Sequence, residues 1–183
     1  MYGTRMRMSV MLFLAGCASA SPSEAPKPEA STPQPEAAQE PKPTAADCKE
    51  HEGALDKASP QHTAENLLAA AACYRKGSAV AREIVVLHAL IASFPDHPRA
   101  KEAVRDAGQA YEGIGHTADA ARMFEEYARR YAAEPDAADL LKRATCFRHG
   151  FGDDRTAEQN LQELRRRHRV TATLDELCPK PAP

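Results

Sequence analysis

Tryptophan is absent from this 183-residue chain, and glycine is scarce, at nine residues. No glycine-rich loop follows a strand-like run, so there is no phosphate cradle of the nucleotide-binding kind; neither GxSxG nor HExxH occurs. An excess of basic charge is missing as well. Twenty-four Lys+Arg face 26 Asp+Glu, which removes the electrostatic basis for binding nucleic acid. Long apolar runs are lacking too: Val10-Met11-Leu12-Phe13-Leu14 falls short of the ~20 residues that span a bilayer, which excludes a multi-span membrane protein. No stretch alternates polar and apolar residues as a half-buried strand does. These absences predict a non-enzymatic chain with no catalytic residues, no resident cofactor or metal and no small-molecule substrate.

What is present is unevenly placed. Arg5 and Arg7 precede the short apolar run, and small residues follow it. Charge, greasy segment and small-residue exit are the layout of an export signal. The exit reads Leu14-Ala15-Gly16-Cys17, which resembles a bacterial lipobox. The resemblance implies that residues 1–16 are a cleaved signal peptide and that Cys17 carries the lipid, palmitate or a similar acyl chain. A plain secretory signal cut near Ala18-Ser19-Ala20 is the alternative reading. At ~0.8 kcal/mol per buried methylene, two or three acyl chains hold a protein on a membrane where one does not. An Asp after the Cys would resemble the inner-membrane retention signal, but Ala18 stands there. By that resemblance the expected location is the outer membrane, lipid-anchored and facing the periplasm.

Residues 17–45 read as a tether. Seven of the fourteen prolines fall between Pro22 and Pro43, and Ser21 to Ala46 contains no aromatic, Leu, Ile, Val or Met. Such a stretch cannot bury enough apolar surface to offset the entropy of ordering it. Extended at ~3.1 Å per residue, its roughly 26 residues reach at most ~80 Å.

From residue 46 to 183 the apolar spacing is helical, and the fold class is all-α. Ser59-Pro60, Lys76-Gly77-Ser78, Pro95 to Pro98, Gly113 to His116, Pro135-Asp136 and Gly150 to Asp153 break it into ordinary helix lengths. Thr63, Thr117 and Asp136 are the expected N-caps. Sliding the chain by about 37 residues superposes Leu67, Val104 and Leu141, then Ala70, Ala107 and Ala144. It also superposes Leu87, Phe124 and Leu161, Leu90, Tyr127 and Leu164, and the pairs Tyr74/Tyr111 and Phe94/Tyr131.

This pattern resembles the tetratricopeptide repeat. The middle unit carries it best, with Val104, Ala107-Gly108, Tyr111, Ala120 and Phe124. Units fall at about 64–97, 101–134 and 138–169. The first departs from the pattern with Ala71 and Glu83, the third with Thr145 and Arg148. Ser93-Phe94-Pro95-Asp96-His97-Pro98 also looks like junctions in envelope repeat lipoproteins of the assembly-factor and cell-envelope coordinator types. The resemblance implies a short right-handed superhelix of stacked antiparallel hairpins, with Lys49–Lys57 and Thr171–Leu177 capping its ends.

Leaving Cys17 aside, Cys48, Cys73, Cys146 and Cys178 are an even set in a chain read as exported, where disulfides persist. Four cysteines allow three connectivities. Cys48 and Cys73 lie at similar distances either side of the Ser59-Pro60 turn, so an antiparallel hairpin brings them level. That favours Cys48–Cys73, a loop of about 26 residues giving ~3 kcal/mol in the chain-entropy model, and Cys146–Cys178. The alternative is a Cys2His2 zinc set from Cys48-x-x-His51 and Cys146-x-x-His149. Those pairs sit at opposite ends of a repeat array, which disfavours it.

Other charged segments read as solvent-facing. Glu125-Glu126 and Asp153-Asp154 are expected on solvated faces or helix starts, and Arg165-Arg166-Arg167-His168-Arg169 at a helix C-terminus complements the dipole. An acidic envelope polymer is a second reading for that basic run.

In the repeat it resembles, the first helix of each unit lines a groove at positions two, five, nine and twelve. Here these are Glu65, Leu68, Ala72 and Arg75; Glu102, Arg105, Gln109 and Glu112; Asp139, Lys142, Cys146 and His149. The +3, +4, +3 spacing keeps each quartet on one helical face. Mixed charge there suggests a protein partner of the cell envelope, as an extended peptide or helix. A scaffold in envelope assembly, division or secretion is the expectation; a periplasmic enzyme or metal-binding helical module is the alternative.

Overall fold

The structure, a computed structural model, describes residues 45–179. The expected signal peptide, Cys17 and residues 18–44 of the expected tether lie outside the described residues. A run of 3-10 turns, Ala45–Leu55, comes first. Six helices follow in pairs: α1 Ala64–Lys76 and α2 Val80–Ser93, α3 Ala100–Gly113 and α4 Thr117–Arg130, α5 Ala137–Gly150 and α6 Asp154–His168. A single turn of helix, α7 Leu174–Leu177, ends the fold. The described residues contain no strand, and none of their helices is long and apolar enough to cross a membrane.

Packing follows chain order: each helix lies against its predecessor and its successor, the 3-10 run covers α1, and α7 touches α5 and α6. Short, identical turns fold the second helix of each pair back on the first. Ser78, Gly115 and Gly152, spaced 37 apart, all have positive φ (55°, 77° and 83°). The next amide in each case reaches back five residues: Ala79 N–H to the Tyr74 carbonyl, His116 to Tyr111 and Asp153 to Arg148, at 2.8–2.9 Å. This left-handed exit satisfies carbonyls that a helix C-terminus leaves open. The longer connections also repeat, with Phe94 bonding Leu90 and Tyr131 bonding Tyr127.

The superposed apolar positions form the interior. Leu67, Val104 and Leu141 are buried, as are Ala70, Ala107, Ala144, Leu87, Phe124, Leu161, Leu90, Tyr127 and Leu164. Small residues on first helices admit large ones from second helices. A Cβ added to Gly108 would lie 2.4 Å from Cε1 of Phe124, so glycine is what lets that ring in. One unit on, Thr145 takes the same place opposite the smaller Leu161, and its hydroxyl donates to the Leu141 carbonyl at 2.7 Å.

The departures from the repeat pattern have physical partners. Glu83 is buried, and Arg75 Nε donates to its carboxylate at 2.6 Å. Arg148 stands where Tyr111 stands one unit earlier. The Tyr111 hydroxyl is 3.0 Å from His88 Nε2, and Arg148 grips Glu125 bidentately at 2.7 and 2.8 Å. His88/Tyr111 and Glu125/Arg148 are therefore the same inter-unit contact, made once by a neutral pair and once by an ion pair. Glu125 also accepts from Asn160 at 2.9 Å and is half-buried, which corrects the expectation of a solvated face.

Of the expected caps, Thr63 accepts from the Asn66 amide at 3.2 Å; α6 is capped by Asp153, which was not among them and accepts from the Thr156 amide. Thr117 does not cap: the Gly115 turn ends at His116, which takes the cap place and leaves Thr117 as the first helical residue. Asp136 occupies the cap of α5, but its backbone is helical (φ −89°, ψ −5°) rather than extended. Its carboxylate consequently turns away from the helix amides, to Tyr127 at 2.7 Å and Arg105 at 3.4 Å.

Cys48–Cys73 and Cys146–Cys178 are both formed. The first ties the 3-10 run to α1 and the second ties the C-terminal turn to α5. This overturns the Cys2His2 alternative, because its two sulfurs are bonded to other sulfurs and are not thiolates.

Candidate partner-binding face

Leu67, Ala70, Ala71 and Tyr74 turn one side of α1 inward, and their counterparts do so on α3 and α5. Residues offset from that stripe by the helical period must face away from it. All twelve positions assigned to the groove obey this, and none is buried. Glu65, Ala72, Arg75, Gln109 and Asp139 are exposed; Leu68, Glu102, Arg105, Glu112, Lys142, Cys146 and His149 are half-buried.

Many of these side chains are engaged with one another across units. Arg75 reaches from α1 to Asp106 of α3 at 2.7 Å as well as to Glu83. Arg105 contacts Asp106 and, in the next unit, Asp136, both at 3.4 Å. Glu112 pairs with Arg143 of α5. Glu65 lies 3.4 Å from His97, Glu102 pairs with Arg99, and Lys142 with Asp139. His149 Nδ1 lies 2.7 Å from Asp154 Oδ1. Burial works against the charge on Arg75 and Arg105, but their carboxylate partners outweigh it and raise both guanidinium pKa values. Partial burial likewise pushes Asp136 up, and the Tyr127 hydroxyl with Arg105 overrides it, holding the carboxyl below its ordinary value.

Leu68, Ala72 and Gln109 are different. The Gln109 side chain makes no hydrogen bond among the described residues, and the other two side chains offer only apolar surface. A hollow of about 380 Å3 includes Leu68 and Ala72 with Glu65 and His97 at its edge, and one of about 290 Å3 includes Gln109 between Arg75 and Asp106. The disulfide at Cys146 closes part of the face's far end, where α7 lies over α5. Among the described residues no three His, Cys, Asp or Glu side chains gather as a metal-binding set.

Seven participants in the network were not among the groove candidates: Glu83, His97, Arg99, Asp106, Asp136, Arg143 and Asp154. Glu83 did carry a signal, being a carboxylate at a place where the later units have Ala120 and Ala157. Asp106 carried none, since exposed acids on helices are common. In comparisons with known proteins, no family model, no curated protein and no solved structure matches this chain. The face is charge-balanced and has two small hollows, one lined by Leu68 and Ala72 and one by Arg75, Asp106 and Gln109.

Proposed function

We propose that this chain is an outer-membrane lipoprotein, anchored through acylated Cys17 and facing the periplasm, whose helical part is a tetratricopeptide-like scaffold for a protein partner of the cell envelope. On this reading residues 1–16 are lost, residues 17–45 are a disordered spacer, and the paired helices form a short right-handed superhelix. The observation that carries the scaffold reading is the 37-residue recurrence of turn, bond and buried residue along helices packed in chain order. Units that contact only their neighbours present one residue position repeatedly along a face, which suits an elongated protein ligand.

The partner is engaged through α1, α3 and α5. Leu68, Ala72 and Gln109 supply contact that no internal bond has taken up, and the ion pairs around them hold the surface in shape. The work in envelope assembly, division or secretion is adaptor work, with no cofactor and no turnover.

Two measurements test this reading. Growth with an alkyne fatty acid should label the chain, and Cys17→Ala should abolish the label; label that survives the substitution contradicts the anchor. Crosslinking in intact membranes followed by purification should recover a protein partner. Turnover of an envelope substrate without any protein recovered would favour the enzyme alternative.

A further inference from the structure

The two disulfides sit in unlike surroundings. Cys48 is fully buried in the main core, among residues of the 3-10 run and α1, and its half-buried partner Cys73 packs against that core. Cys146 and Cys178 are half-buried and line an open cavity of about 840 Å3, together with His149, Asp154 and Leu177. The segment this second bridge holds has little other grip. No residue of α7 is buried. Leu177 packs at the edge of the small Ala128, Leu141 and Leu164 cluster, and Arg165 donates to the Ala172 carbonyl at 3.0 Å. A covalent bond is thus the main attachment of a segment that covers the α5 end of the candidate face.

We propose that Cys146–Cys178 is a thiol-exchange site, reduced by a dithiol while Cys48–Cys73 stays closed, and that its opening releases α7 from α5. A thiolate of the dithiol attacks Sγ of Cys178, which lies on the segment to be released. A bond forms between the two sulfurs, the Cys146–Cys178 bond breaks, and its electron pair leaves on Cys146. The second thiol of the dithiol, as thiolate, then attacks the mixed disulfide and frees Cys178. The dithiol becomes a disulfide, and its two electrons and two protons end on Cys146 and Cys178. Exchange of this kind is governed by access to the sulfur and by stabilisation of the leaving thiolate.

His149 supplies the second of these. His149 Nδ1 lies 2.7 Å from Asp154 Oδ1, while Nε2 has no hydrogen-bond partner and the Asp175 carboxylate stands 3.7 Å away. One helical turn from Cys146 and lining the same cavity, it is placed to receive the departing sulfur. It acts as a positioning residue for the exchange.

The test is timed reduction of the folded full-length chain with dithiothreitol, quenched by alkylation and read by peptide mass spectrometry. Cys146 and Cys178 should be alkylated about a hundredfold faster than Cys48 and Cys73, with the helical circular dichroism unchanged. Amide exchange over 174–177 should then rise to unprotected rates while α1–α4 keep theirs, and a Cys146→Ser, Cys178→Ser double variant should show the same without reductant. His149→Ala should slow the first reduction several-fold and leave the second unchanged. Equal rates for the two bridges, or reduction only as helicity is lost, would overturn the proposal. Continued protection of α7 after opening would overturn the release, and an unaltered rate in His149→Ala would remove that residue's role.

Discussion

At the scale of single residues the interior tolerates little change where a missing side chain is what makes the fit. The Phe124 ring occupies the place of a Gly108 Cβ. Gly108→Ala should destabilise the fold by about 1–3 kcal/mol through overpacking, read from the denaturation midpoint. Adding Phe124→Leu, which copies the Thr145 and Leu161 arrangement one unit on, should recover part of the loss; no recovery would mean that the ring is not the obstacle. Removing Arg75 acts by a different mechanism. Arg75→Ala leaves the buried Glu83 carboxylate with no cation, an outcome costing about 3 kcal/mol. The double variant Arg75→Ala, Glu83→Ala should be more stable than Arg75→Ala alone, and a double-mutant cycle in urea measures the coupling. His88 gives the pH dependence. Burial, with Arg122 adding to it, lowers its pKa below 6.5 in the folded chain. The unfolded chain therefore takes up its proton first as pH falls. Stability should be full above about pH 6.5 and decline through the lowered folded value, and His88→Asn should flatten the slope between about pH 7 and 5. An unchanged slope would assign the effect to another histidine.

Among the elements, the recurring turns set the register of the whole array. Ser78 holds the left-handed position that Gly115 and Gly152 hold in later units. A side chain there costs ~1–2 kcal/mol of conformational strain, partly offset by the extra chain entropy of glycine. Ser78→Gly should accordingly raise stability by roughly 0.5 kcal/mol, and a fall would mean that the serine makes a contact worth more than the strain. Helices, breakers and buried stripes were legible in the sequence because 3.6-residue spacing and left-handed turns leave local marks. The disulfide pairing was legible from hairpin arithmetic around Ser59-Pro60. What the sequence hid was partnership across units. Glu125 read as solvated because its partners, Arg148 and Asn160, lie 23 and 35 residues further along the chain. Asp136 read as a cap because its residue type suits one, while its backbone angle and the Tyr127 hydroxyl decide otherwise. The assigned groove positions face outward on α1, α3 and α5, but the sequence could not show that Arg75, Arg105 and Glu112 are already engaged internally.

For the molecule as a whole, that internal engagement shapes how the proposed partner face is probed. Reversing the charge of Arg105 disturbs the links to Asp106 and Asp136 along with any ligand. Gln109 is exposed and its side chain is free of internal bonds, so a photo-crosslinking amino acid there reports on a partner without dismantling the fold. Gln159, exposed on α6, is the matching control on a second helix. The central claim is that a membrane-tethered stack of helices holds an envelope protein on the face of α1, α3 and α5. Its most direct test places the crosslinker at Gln109 or Gln159, irradiates intact cells with Cys17 unaltered, and resolves the products by mass. The account predicts a discrete protein adduct from Gln109 and little or none from Gln159; adducts of equal yield from both positions, or from Gln159 alone, would contradict it.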